Sequence, residues 1–211
     1  MIERKRIKVS EIFFIIFLLL VLGLFLLIAW RYNVLCDISK QNNLTLNKTN
    51  YYYYSKNNET IMEYWKKENI AKLNMKQVNT NRDVTFWRDG NTGEEYTFYN
   101  MTMEYTEDGG MFSSRPTSLT TSYDNFNKFL LALNPTVFIW TKEYDGKDCY
   151  DVKVGEQEEI IEKETGLLLS TKFEDNERKL SYSFDTVTDE DVKMPDISQY
   201  TLQGDKAKET F

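Results

Sequence analysis

No histidine occurs anywhere in the sequence. This removes the commonest metal ligand and the usual general base in one stroke, and with them the Ser-His and Cys-His catalytic arrangements. Cysteine is nearly absent too, at two residues, Cys36 and Cys149, so no disulfide scaffold is built. Basic residues are outnumbered, 26 against 33 acidic. Without a basic stripe to displace counterions, nucleic acid is not an expected partner. The acidic runs "TEDGG", "EQEEIIEKE" and "VTDEDVKMPD" lack the D-x-[DN]-x-[DN]-G order of a calcium loop and are read as solvated charge. The expectation is a protein that is not an enzyme and holds neither metal nor cofactor.

What is present begins with "IFFIIFLLLVLGLFLLIAW", Ile12 to Trp30, which carries no charge. About 20 apolar residues suffice for a helix to cross a hydrocarbon layer of roughly 30 Å. The run is too long for the core of a cleaved signal peptide, and it ends "IAWRYN" rather than in small residues, so it reads as a retained signal-anchor. Bulky Leu35 beside Cys36 does not fit a lipoprotein cleavage site. Arg4, Lys5, Arg6 and Lys8 precede the run, whereas only Arg31 and Lys40 follow closely. By the positive-inside rule, residues 1–11 form a cytoplasmic tail and the C-terminal bulk lies outside, in the cell-membrane-bound manner of a single-pass protein. Trp30 and Tyr32 suit the outer aromatic belt. Beyond residue 11 there remain 22 basic and 31 acidic residues, about −9.

Residues 31–49, "RYNVLCDISKQNNLTLNKT", are polar and asparagine-rich and read as a tether. From Asn50 the chain breaks into short aromatic and β-branched runs separated by turn residues, as expected of an antiparallel sheet. Asp145-Gly146 and Thr165-Gly166 are tight-turn signals. One amphipathic helix interrupts the strands. It is predicted from Ser122, as N-cap, to Asn134 before Pro135, with Tyr123, Phe126, Phe129, Leu130 and Leu133 turned to one face of the sheet. In "LLLSTKFE", strict alternation would place Leu167, Leu169, Thr171 and Phe173 together; Leu180, Tyr182 and Phe184 follow suit in the next strand. Residues 201–211 read as a flexible tail. Whether Cys36 and Cys149 pair is left open by the sequence.

The tyrosine-rich meander, the single helix, the hairpin "IIEKETGLLLSTKF" and the closing "FDTVTDEDVKMPDISQY" together resemble extracytoplasmic bacterial domains of the outer-membrane lipoprotein carrier type. The resemblance spans about residues 50–200. It implies a strongly curved antiparallel sheet or incomplete barrel with one or two helices on its concave face. Carriers of that type are soluble, so the apolar run Ile12 to Trp30 is a departure, and the expected fold is an N-terminal transmembrane helix plus a mainly-β (α+β) ectodomain. The resemblance also implies a lipid, acyl-chain or lipoprotein ligand in an apolar cavity. The lining candidates are Leu167, Leu169, Phe173, Tyr182, Phe184, Phe126 and Leu130. Trp65, Phe86, Trp87, Phe98, Phe138 and Trp140 are either further lining or ordinary core. The competing reading is a sensor or scaffold with a membrane-protein partner, whose apolar face is filled by its own side chains.

Overall fold

A computed structural model of the chain describes residues 9–80, 82–108 and 124–203. Its first element is one uninterrupted helix, α1 (Val9–Leu46), of 38 residues and hence about 57 Å. The N-terminal half is long and apolar enough to cross a membrane. The C-terminal half corrects the expected tether. Val34, Leu35, Ile38, Ser39, Asn42 and Leu46 are buried, a stripe at spacings of three, four and one. The Asn/Thr-rich stretch has poor helix propensity. Extending an already formed helix, however, adds one hydrogen bond per residue without a new nucleation cost, and burial of the stripe stabilises the extension.

Among the described residues, twelve strands form one open sheet. In chain order they are β1 (Asn50–Lys56), β2 (Thr60–Lys67), β3 (Ile70–Gln77), β4 (Asp83–Asp89), β5 (Glu94–Tyr99), β6 (Glu104–Thr106), β7 (Val137–Tyr144), β8 (Lys147–Val154), β9 (Gln157–Glu162), β10 (Leu168–Phe173), β11 (Asn176–Phe184) and β12 (Thr201–Leu202). Among the described residues the next helix, α2 (Asn125–Leu133), lies between β6 and β7. The spatial order is β12-β6-β5-β4-β3-β2-β1-β11-β10-β9-β8-β7, so β1 is central and β7 and β12 are edges. All neighbours are antiparallel except β12 on β6. The architecture is the expected mainly-β incomplete barrel with an apolar N-terminal helix. The aromatic stretch "EYTFYNMTMEYT" is split into β5 and β6, with Met103 between them at a φ of 53° that no strand accommodates.

Alternation divides the sheet into two cores. On the concave side, Val34, Leu35 and Ile38 of α1 pack on Ala132, Val137, Ile139, Val152, Ile161, Leu168 and Leu180. Leu46 continues the layer over Tyr51, Tyr53, Tyr64, Ala71, Leu73 and Leu167. On the convex side the chain after β11 wraps back over β4 and β5. Trp87 donates Nε1–H to the carbonyl of Val192 at 2.8 Å, and Phe98 meets Tyr200 edge-on at 5.0 Å. Thr201 and Leu202, expected in a flexible tail, are the strand that closes this wrap. The two cysteines are free thiols: Cys36 is partly exposed on α1, and Cys149 is buried with Ile160 and Leu169.

The β9–β10 turn is clamped to α1. Asn42 Nδ2 donates to the carbonyl of Gly166 and Thr45 Oγ1 to that of Thr165, both at 2.9 Å. Gly166 has φ of 66°, and a Cβ there would run into the backbone of Ile38 and Asn42. Glycine is thus required both for conformation and for close approach.

Because α1 is part of the domain, its removal has a calculable cost. Burial of Val34, Leu35, Ile38 and Leu46 is worth roughly 6–12 kcal/mol at about 1.5–3 each, comparable to the whole stability of a domain. A truncation beginning at Asn50 is therefore expected to aggregate, whereas one beginning at Arg31 folds; size-exclusion chromatography and circular dichroism distinguish them. Gly166→Ala should lower stability by roughly 2–4 kcal/mol through strain and overpacking, read by urea denaturation of the detergent-solubilised chain.

Candidate functional site

The seven expected lining residues do not converge on one cavity. Leu167 is 2% exposed under Leu46. Tyr182 and Phe184 are half-buried on the concave side, where Lys48 Nζ stands 4.6 Å over the Phe184 ring. Leu169 has changed sides. A bulge between Leu168 and Ser170 lets two residues of β10 face one of β9. Leu168 takes the place against α1, and Leu169 joins Cys149 and Ile160. The bulge sets Leu169 off the alternation, which a strict period of two cannot foresee, while Thr171 and Phe173, opposite Glu159 and Gln157, stay on the face of Leu168. Phe173, Phe126 and Leu130 are corrected outright, at 52%, 68% and 46% exposed.

The helix is also inverted relative to expectation. Its N-cap is Asp124, whose Oδ1 accepts from the Asn127 amide at 2.8 Å, while the expected cap Ser122 and Tyr123 lie outside the described residues. Lys128 and Ala132 are its buried residues. Lys128 Nζ donates to Ser39 Oγ at 2.9 Å, and Phe126, Phe129, Leu130 and Leu133 face outward.

The residues missed by sequence reasoning are those that fill the concavity: Val34, Leu35, Ile38 and Leu46. Their signal was the helical spacing through residues 34, 35, 38, 42 and 46, masked by the polar Ser39 and Asn42 within the stripe.

A smaller opening remains at a split in the sheet. β10 pairs with β11 only from Ser170↔Lys179 to Phe173↔Asn176, and the strands diverge beyond. Tyr182 reaches across the gap and donates its hydroxyl to the carbonyl of Leu168 at 3.0 Å. The adjoining cavity, about 380 Å³, is lined by Leu169, Leu180, Tyr182, Tyr54 and Tyr144, with Asp145, Lys147 and Lys179 among its polar residues. A neighbouring depression is polar, formed by Glu143, Lys147, Asp148, Glu162, Lys163 and Glu164. Among the described residues no three His, Cys, Asp or Glu side chains are placed to hold a metal ion.

The aromatic set divides between the faces. Phe86 joins the concave core, while Trp87 and Phe98 lie under the C-terminal wrap. Trp65 stands beside Tyr52, rings 5.4 Å apart. Phe138 and Trp140, with rings 6.2 Å apart, are 48% and 43% exposed on the edge strand β7. Below them Lys142 pairs with the buried Asp151 at 2.8 Å.

No family model and no curated protein matches the chain. Among solved structures it is similar to an uncharacterized conserved protein from Thermus thermophilus, with a TM-score of 0.51 over 79% of this chain and 96% of that one. At 8% identity the likeness is one of fold alone.

Burial holds the tyrosines of the central strands protonated. Desolvation, then the Glu63 carboxylate, pushes Tyr52 up to about 12, and burial raises Tyr53 and Tyr182 further from their ordinary value. Because the folded values lie above the unfolded one, this stabilisation is complete below about pH 10 and is lost as pH rises through the folded values. Spectrophotometric titration should therefore show the ionisation of Tyr52, Tyr53 and Tyr182 delayed beyond the ordinary tyrosine range and released cooperatively as the domain unfolds.

Proposed function

We propose that the chain is a single-pass, membrane-anchored extracytoplasmic domain of a bacterium that binds a protein partner, as a sensor or scaffold of envelope signalling. The filled concavity carries this reading. With Leu35 and Leu46 at 0% and Ile38 at 1% exposure, the face on which an acyl chain would lie is occupied by α1. Recognition then falls to the outside. Phe138 and Trp140 stand half-exposed on β7, which pairs only with β8 and leaves one edge of backbone donors and acceptors open among the described residues. An open edge flanked by aromatic side chains suits strand addition by a partner, with the rings as anchors. The basic residues before α1 support a cytoplasmic N-terminus and an external domain. An absence of histidine supports a binding rather than a catalytic role.

A lipid or lipoprotein ligand is the second reading. It draws on the likeness of an incomplete barrel with a concave-side helix to the lipoprotein carrier architecture, and on the cavity beside Leu169 and Tyr182. At about 380 Å³ that cavity is within the usual range of ligand sites, though near its lower end.

A photocrosslinking side chain at position 140 in living cells should give one discrete adduct to a membrane or envelope protein. Trp140→Ala should weaken binding of that protein by about 30-fold, the roughly 2 kcal/mol of an aromatic anchor, without altering stability. If position 140 gives no adduct and native mass spectrometry of the full chain in detergent shows co-purified lipid, the protein-binding reading is overturned in favour of the second.

A further inference from the structure

We propose that the outward stripe of α2 is a second membrane contact: Leu133, Leu130 and Phe129 rest in the headgroup layer of the bilayer that α1 crosses, with Phe126 at the upper end of the stripe above it. The inference rests on α1 spanning that bilayer, as proposed above. Four observations carry it. The stripe is continuous, at spacings of three, one and three, and all four side chains are at least 44% exposed. At 100° per residue it lies about 130° around the helix from the seated residues Lys128 and Ala132. A helix that buries a lysine and exposes two phenylalanines and two leucines is inverted for an aqueous surface, and such a patch marks an interaction site.

Its position selects the membrane as the occupant. α2 runs antiparallel to α1, with Lys128 bonded to Ser39 and the carbonyl of Asn134 accepting from Arg31 Nη1 at 3.3 Å. The end of the stripe is thus level with the first residue beyond the apolar run. Ile28, within that run, already packs on the core shared by Ala132 and Val137. Phe129 meets Tyr32 edge-on at 6.2 Å and so extends the interfacial belt begun by Trp30 and Tyr32. The headgroup layer is about 5–7 Å thick on each side, and the ordinary tilt of roughly 20° for a single helix would bring the upper end of the stripe toward it. Charge agrees as well. In a chain of net charge −7, α2 contains no acidic residue between Asn125 and Leu133, so nothing on the stripe opposes an anionic lipid surface.

The test uses the full chain with Cys36→Ser, Cys149 being buried, reconstituted into vesicles of phosphatidylcholine and phosphatidylglycerol. An environment-sensitive fluorophore is placed in turn at Leu133→Cys, Phe129→Cys, Leu20→Cys and Glu164→Cys. Lipid brominated near the glycerol end of the chain should quench positions 133 and 129 roughly twofold, the response of a side chain about 5–10 Å into the headgroup and acyl boundary. Position 164, beside the far end of α1, should be unaffected. Quenching at 20 by deeply brominated lipid without quenching at 129 and 133 leaves the anchor standing and overturns the docking. Absence of quenching at all four overturns the anchor itself. A blue shift at 129 that follows protein-to-lipid ratio without bromine quenching assigns the stripe to a second copy and also overturns the proposal.

Discussion

The structure depends on one packing contact, the apolar stripe of α1 lying across the concave face of the sheet. Val34, Leu35, Ile38 and Leu46 touch both halves of the barrel, the β7–β11 side through the first three and the β1–β3 side through Leu46. Without them a sheet this curved would present a dry trough to water, and burial of that trough is of the order of the whole folding free energy. The same helix is the apolar segment able to cross a membrane. No flexible joint separates the two tasks. A displacement or tilt of the β domain would therefore be transmitted along a stiff rod rather than absorbed by a linker.

The clamp at the β9–β10 turn follows from that contact. The turn must lie against the backbone of α1, so glycine stands at 166 and Asn42 and Thr45 direct their side chains to its carbonyls. This explains why a polar asparagine occupies a stripe position. It satisfies a carbonyl that would otherwise be buried without a partner. Downstream, the bulge at Leu169 adjoins the split between β10 and β11, and the Tyr182 hydroxyl satisfies the carbonyl of Leu168 at the split. The convex side carries a second core, in which the C-terminal segment covers Trp87 and Phe98.

Much of this was legible in the residues. The apolar run, the strand runs and the two glycine turns all follow from local patterns. The failures are equally physical. The stripe in α1 was hidden because Ser39 and Asn42 are polar by composition yet buried by hydrogen bonding. The side of Leu169 was misassigned because a bulge sets that one residue off the alternation of its strand. Phe126 and Leu130 were assigned inward because the usual rule turns the apolar face of a helix to the core, and α2 does the reverse.

The sequence by itself determined the class of the protein: an apolar helix followed by an acidic, histidine-free, mainly antiparallel domain. Periodicity and turn chemistry are local properties, carried by neighbours within a few residues. Only the tertiary structure decided what fills the concavity, which face of α2 meets solvent, and where the sheet is split. The first two are contacts between segments about a hundred residues apart, such as Ser39 with Lys128 and Asn42 with Gly166. No local pattern encodes which of two apolar surfaces will find the other first. The free energy of the whole packed arrangement makes that choice.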